Sequence, residues 1–134
     1  MLNVKAETQM LDTVQDFIHE SLEKAGIDAD IKALTQLDVA VEEVFVNIAN
    51  YAYTPDKGDA IIEAEISDGA LLTLRFIDSG KAFDPLAAED PDVTLSAEER
   101  GIGGLGIFLT KKFMDSVEYE RKDGKNILTM TKKF

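Results

Sequence analysis

Glu43, Asn47 and Asn50 recur at spacings of four and three within "LDVAVEEVFVNIANYAY". At roughly 100° per residue they form one stripe on a helix, roughly 150° from the centre of an apolar face made by Leu34, Leu37, Val41, Val44, Phe45, Ile48 and Ala52. A helix face that meets only water is usually filled with Lys, Glu and Arg, and asparagine is a poor helix former. Glu43 and Asn47 set a carboxylate beside a neutral amide oxygen. The amide oxygen is a hard, uncharged ligand suited to Mg²⁺. The carboxylate, one turn earlier, suits a general base acting on a hydroxyl or water beside a metal-bound phosphate. A solvated polar face with incidental asparagines would carry the same spacing.

A second candidate lies in "FIDSGKAFDP", where Asp78 ends an apolar strand and Gly80 follows. A carboxylate there can accept a hydrogen bond from an exocyclic amine such as that of adenine. Gly80 leaves room for a base against the backbone. The same Asp-Ser-Gly run is also ordinary turn chemistry.

The third is "RGIGGLGIFLTKKF", in which Gly101, Gly103 and Gly106 spell G-x-G-x-x-G. A dinucleotide site needs a buried parallel strand running into the first glycine. The preceding "DPDVTLSAEER" is polar and acidic. A Walker A loop fails as well, because no G-K-[ST] follows. Glycines ahead of a helix still let backbone N–H groups approach an anion, with the helix N-terminus adding partial positive charge. A hinge between a long loop and a helix is the other reading.

The elements that must carry these residues follow from pattern. "LNVKA" reads as a strand, Glu7 to Ala25 as a helix with Gly26 past its end, and Ile31 to Tyr53 as a second helix that Pro55 stops. "AIIEAEIS" and "LLTLRFID" flank Asp68–Gly69, a strong hairpin signal. Ser79 to Arg100 shows no period and is long for a connection. A third helix spans about Leu105 to Met114, and a last hairpin turns at Asp123–Gly124. The order β-α-α-β-β-loop-α-β-β predicts an α+β two-layer sandwich. Its sheet is five-stranded and mostly antiparallel, with three helices on one face.

Composition narrows the chemistry. The 134 residues fit one domain, 1–134, and 45% hydrophobic content supplies a core. There is no cysteine, which excludes thiol catalysis and cysteine-held zinc. The formal charge of −12 argues against direct nucleic-acid binding and requires a divalent cation beside any polyphosphate. No apolar run approaches the ~18 residues of a membrane span, and the first residues lack a signal-peptide pattern, so the expected location is the cytoplasm. The single histidine, His19, lies off the apolar stripe of its helix and reads as a surface residue.

Taken in order, these segments resemble the GHKL ATPases, the Bergerat fold. Glu43-x-x-x-Asn47 is similar to the N-box, Asp78-x-Gly80 to the G1 box and Gly104-Leu105-Gly106 to the G2 box. "DSGKAFDP" and "GGLGIFLTKKFMDSVEYERKDGKNILTMTKK" further resemble anti-sigma-factor serine kinases of the RsbW type. The resemblance implies ATP and Mg²⁺ as cofactors. It makes Glu43 the base for phosphoryl transfer to a protein serine, Asn47 the Mg²⁺ ligand and Asp78 the adenine acceptor. Gly80 lines the base pocket. Gly103, Gly104, Leu105 and Gly106 cover the phosphates, residues 87–103 form an ATP lid, and Arg100 and Asn50 are further nucleotide contacts. An additional Gly-Ile ahead of the Gly-Gly-Leu-Gly run shifts the lid register, and Tyr51 stands where some relatives have histidine.

The implied partners are a sigma factor and a small anti-anti-sigma protein of the STAS type that carries the acceptor serine. Relatives also suggest a homodimer, although no exposed stripe demands one. The alternatives are a non-catalytic, ATP-gated binding module of the same fold and a solitary histidine-kinase catalytic domain. Retained Glu43 counts against the first. The Phe83-Asp84 pair after Gly80 counts against the second.

Overall fold

The computed structural model describes residues 1–53, 56–86 and 104–134, with the side chains of 104–106 left out. In chain order the elements are β1 (Leu2–Lys5), a 3₁₀ turn (Thr8–Met10), α1 (Leu11–Lys24), α2 (Ile31–Asn47), a π-helical turn (Ile48–Ala52), β2 (Asp59–Ser67), β3 (Leu71–Asp78), α3 (Gly104–Phe113), β4 (Ser116–Lys122) and β5 (Lys125–Lys133). The strands form one antiparallel sheet in the order β1-β2-β3-β5-β4. The expected α+β architecture is therefore the observed one.

Boundaries moved in two places. The first helix begins as a 3₁₀ turn, and α1 itself starts at Leu11 with no side chain capping it. The second helix stays regular only to Asn47 and then widens into the π turn. Such turns cluster at functional sites.

Both Asp-Gly pairs turn hairpins. Asp68 and Gly69 have φ of 48° and 81°, and Asp123 and Gly124 have 53° and 75°. Positive φ at both central residues of Asp123–Gly124 is the two-residue turn that matches strand twist. The first hairpin adds Ala70 before Leu71 resumes pairing with Ser67.

Alternation along β3 buries Leu72, Leu74, Phe76 and Asp78 on the helix side. Val14, Ile18 and Leu22 of α1 and Leu37, Val41, Val44 and Phe45 of α2 complete that core. His19 is only partly a surface residue. Its Nε2 lies 2.7 Å from Asp38 Oδ1, so the pair, about one-third exposed, ties α1 to α2. Among the described residues no helix is long and apolar enough to cross a membrane.

Candidate functional site

The core ends in a cleft where α2, α3 and the far ends of β3 and β5 meet. It is open to solvent, and the space between its walls, part of it bulk solvent, is about 460 Å³. One wall is Val44 and Asn47 of α2, continued by Ile48 and Ala52 of the π turn. The floor is Phe76 and Asp78 of β3 with Asn126 and Leu128 of β5. Ile107 of α3, Tyr119 of β4 and the Phe83–Pro85 segment close the rest. An apolar cleft with a few convergent polar groups is the usual form of a small-molecule site.

Asn47 reaches the cleft because it lies three positions from Val44, about 60° around the helix. The polar stripe therefore borders the apolar face. Glu43, one turn earlier, is half-buried and does not line the cleft itself. Burial pushes its carboxyl above the ordinary value, and the like charge of Glu42 adds to the shift. A carboxyl raised this way is a better proton acceptor once ionised. Asn50 is exposed on the π turn and does not line the cleft.

Asp78 is buried at 4% exposure. Its Oδ1 accepts from the Gly80 N–H at 2.9 Å and from Asn126 Nδ2 at 2.9 Å. Beyond it, residues 79–83 are tied down from both sides. Ser79 N–H donates to the Tyr53 hydroxyl at 2.8 Å, and that hydroxyl donates to the Asp59 carbonyl at 2.7 Å. Lys81 N–H donates to the Ala52 carbonyl at 2.9 Å. Arg121 Nη1 donates to the Gly80 carbonyl at 2.8 Å. A Cβ built on Gly80 would collide with the Ala52 carbonyl. Glycine is thus required there by the loop's approach to the π turn, a reason additional to room for a base.

Sequence reasoning passed over Asn126, Tyr119 and Tyr53. The signal for Asn126 existed, since an amide inside the alternating strand "NILTMTK" falls on the buried face. Its relevance needed the register, in which Asn126 faces Asp78 directly. Tyr51, exposed at 46%, meets the ring of Phe83 at a centroid distance of 6.2 Å.

Gly104, Leu105 and Gly106 open α3, whose body packs on α2. Arg100, Gly103 and the rest of the expected lid, residues 87–103, lie outside the described residues. The structure thus brings Asn47 and Asp78 into one cleft with Glu43 on the adjoining helix turn, and leaves Asn50 to the side.

Comparison with known proteins places nearly the whole chain in a family. The family described as histidine kinase-like ATPase domain matches residues 4–132. The serine/threonine-protein kinase BtrW of Bordetella bronchiseptica is 34% identical over 95 residues, which cover 71% of this chain and 67% of that protein. The anti-sigma F factor of a Thermoanaerobacter species is 32% identical over 111 residues, covering 82% and 76%. Among solved structures, the RsbU and RsbW domains of Rv1364c from Mycobacterium tuberculosis superpose with a TM-score of 0.64 at 16% identity, covering 99% of this chain and 32% of that one. That last likeness speaks for the fold. With the family match spanning nearly all of its length, this chain belongs to the histidine kinase-like ATPase domain family.

Proposed function

We propose that this protein is an ATP-dependent serine protein kinase and anti-sigma regulatory factor. It would bind a sigma factor in one state and phosphorylate a small anti-anti-sigma protein of the STAS type in another. The observation that carries the reading is the convergence of Asn47 and Asp78 on one largely apolar cleft, beside a half-buried Glu43. The names of the relatives, a serine/threonine-protein kinase and an anti-sigma factor, point the same way.

The residues fit the cofactors. Among the described residues no group of three or more His, Asp or Glu side chains would hold a metal alone. Mg²⁺ needs few protein ligands when it shares the oxygens of a triphosphate. Asn47 would supply its amide oxygen. When bound, the ion would neutralise charge building on the transferring phosphoryl group. Asp78 would accept from the adenine amine, and Phe76, Ile48 and Leu128 would exclude water around the base. Glu43 would take the proton from the acceptor serine hydroxyl. Arg100 and Gly103 on the lid of residues 87–103, with Gly104, Leu105 and Gly106 at the start of α3, would cover the phosphates, and Asn50 would be an outer contact.

The cytoplasm is the proposed setting, and a homodimer the proposed assembly. Phosphorylation adds close to two negative charges to the antagonist. On a chain of net charge −12 those charges disfavour renewed docking.

Calorimetric titration with ATP, ADP and NAD, with and without Mg²⁺, tests the reading. ATP and ADP should bind, NAD should not, and ATP affinity should depend on Mg²⁺. Asn47→Ala should remove most of that dependence. Absence of adenine nucleotide binding would overturn the assignment. Binding without transfer to any serine acceptor would leave the ATP-gated binding module.

A further inference from the structure

Asn126 is 6% exposed and stands opposite Asp78 in the β3–β5 register. Its side chain uses all four of its hydrogen-bonding positions. Nδ2 donates to Asp78 Oδ1 at 2.9 Å and to the Lys81 carbonyl at 2.8 Å. Oδ1 accepts from the Phe83 N–H at 3.3 Å and from the Tyr119 hydroxyl. Two partners fix which end of the amide is which, since a carbonyl only accepts and a backbone N–H only donates. A saturated amide has nothing left for a ligand. It also spends one of its donors on the carboxylate that faces the cleft.

We propose that Asn126 is a positioning residue for the base subsite. It clips the 79–83 loop to the sheet and occupies Asp78 Oδ1, so that recognition of a base amine falls to the other carboxylate oxygen. This rests on the ATP reading above. The geometry behind it is specific. Oδ1 already receives two N–H donors, from Gly80 and from Asn126. The carboxylate plane cannot turn without breaking one of them. The same amide sets the backbone on both sides of Ala82, through Lys81 and Phe83, and Phe83 itself lines the cleft.

Aspartate at this position separates a positioning role from simple filling of the core. Two facing carboxyls share one proton, and the pair titrates as a unit. The shared proton can replace the amide N–H in acid. Once it is lost, the two carboxylates repel and the loop is released. Among the described residues, the ionisable residues bonded into or adjoining this network in sequence are Tyr119 and Arg121 on β4, Lys125 on β5, and Lys81 and Asp84 in the loop. The helices present Asn47 and Ile107 to the cleft, neither of which titrates.

The experiment is calorimetric titration of ADP with Mg²⁺ into wild type, Asn126→Ala and Asn126→Asp, each across a pH series. Asn126→Ala should bind about 10- to 100-fold more weakly than wild type. For Asn126→Asp, the ratio of its Kd to the wild-type Kd should be lowest in acid, where one proton can replace the N–H given to Asp78, and rise about tenfold or more as pH increases. Wild-type affinity for Asn126→Ala, or a ratio for Asn126→Asp that does not change with pH, would overturn the proposal. If wild type itself binds no adenine nucleotide, the ATP reading fails, and amide hydrogen exchange of the nucleotide-free chain decides the clip. Loss of protection at Phe83 and Gly80 in either variant would support it. Unchanged protection would refute it.

Discussion

From Ile31 to Val41, α2 is an ordinary amphipathic helix. Asp30 caps it through Ala33 N–H at 2.7 Å, and Leu37, Ala40 and Val41 are fully buried. From Glu42 to Ala52 the same run carries adjacent carboxylates, a half-buried Glu43, an asparagine facing the cleft and a π turn. The first half obeys local preference and contributes packing. The second half violates that preference at several positions, and the violations coincide with the cleft. Val44 and Phe45 of the second half still belong to the core, but its polar positions do not, so substitutions at those positions should behave differently from substitutions in the first half.

The largest effect expected is on transfer. Glu43→Gln should lower single-turnover phosphoryl transfer to a serine acceptor by about 100- to 10,000-fold, with ADP affinity little changed. The same variant should not lose stability. The folded chain favours the protonated form of Glu43 relative to the ordinary value of 4.5. Its favourable contribution is therefore complete below that value and is lost as pH rises through the folded pKa. Near neutral pH the ionised group weighs on the fold, so the neutral glutamine should raise the thermal midpoint slightly, more at about pH 7 than at about pH 4. A fall in midpoint together with the lost transfer would break the separation. Wild-type transfer should itself decline as pH drops through the raised pKa.

The opposite signature belongs to the first half. Leu37→Ala should cost about 2–5 kcal/mol in urea unfolding, because it leaves a cavity in a fully buried layer. The fraction that remains folded should bind ADP as wild type does. A large change in its affinity would mean that the halves are coupled. The smallest effect is expected at the α1–α2 tie. His19 and Asp38 are each about one-third exposed, so His19→Ala should cost less than about 1 kcal/mol. Denaturation at two salt concentrations would measure it, and a larger loss would place the pair among the core contacts.

Much of this was legible before any coordinates. The Asp-Gly turns, the strand alternation and the helical stripes act between neighbours in sequence, and they led to the correct element order and layer. Asn47 could be picked out because asparagine departs from helical preference, and Glu43 and Asp78 because their spacing and order resemble the N-box and the G1 box. Asn126 could not, because an amide on a strand acquires meaning only opposite Asp78, and that pairing passes over β4. The π turn was equally hidden. It ends in tertiary ties at Ala52 and Tyr53, which the composition of "IANYA" does not reveal. The collision that requires Gly80 likewise belongs to the fold.

The position of β5 has a consequence for how the molecule comes to exist. β5 follows every other strand along the chain, yet it lies between β3 and β4 in the sheet. Asp78 and Asn126 are 48 residues apart in sequence. Closing so distant a pair is entropically costly and slow compared with forming the β2–β3 hairpin. A growing chain can therefore hold helices and one hairpin well before it has a cleft floor. A nucleotide held at Asp78, as proposed, would add its binding free energy only to the finished sheet and would act on this fold as a late check on its completion.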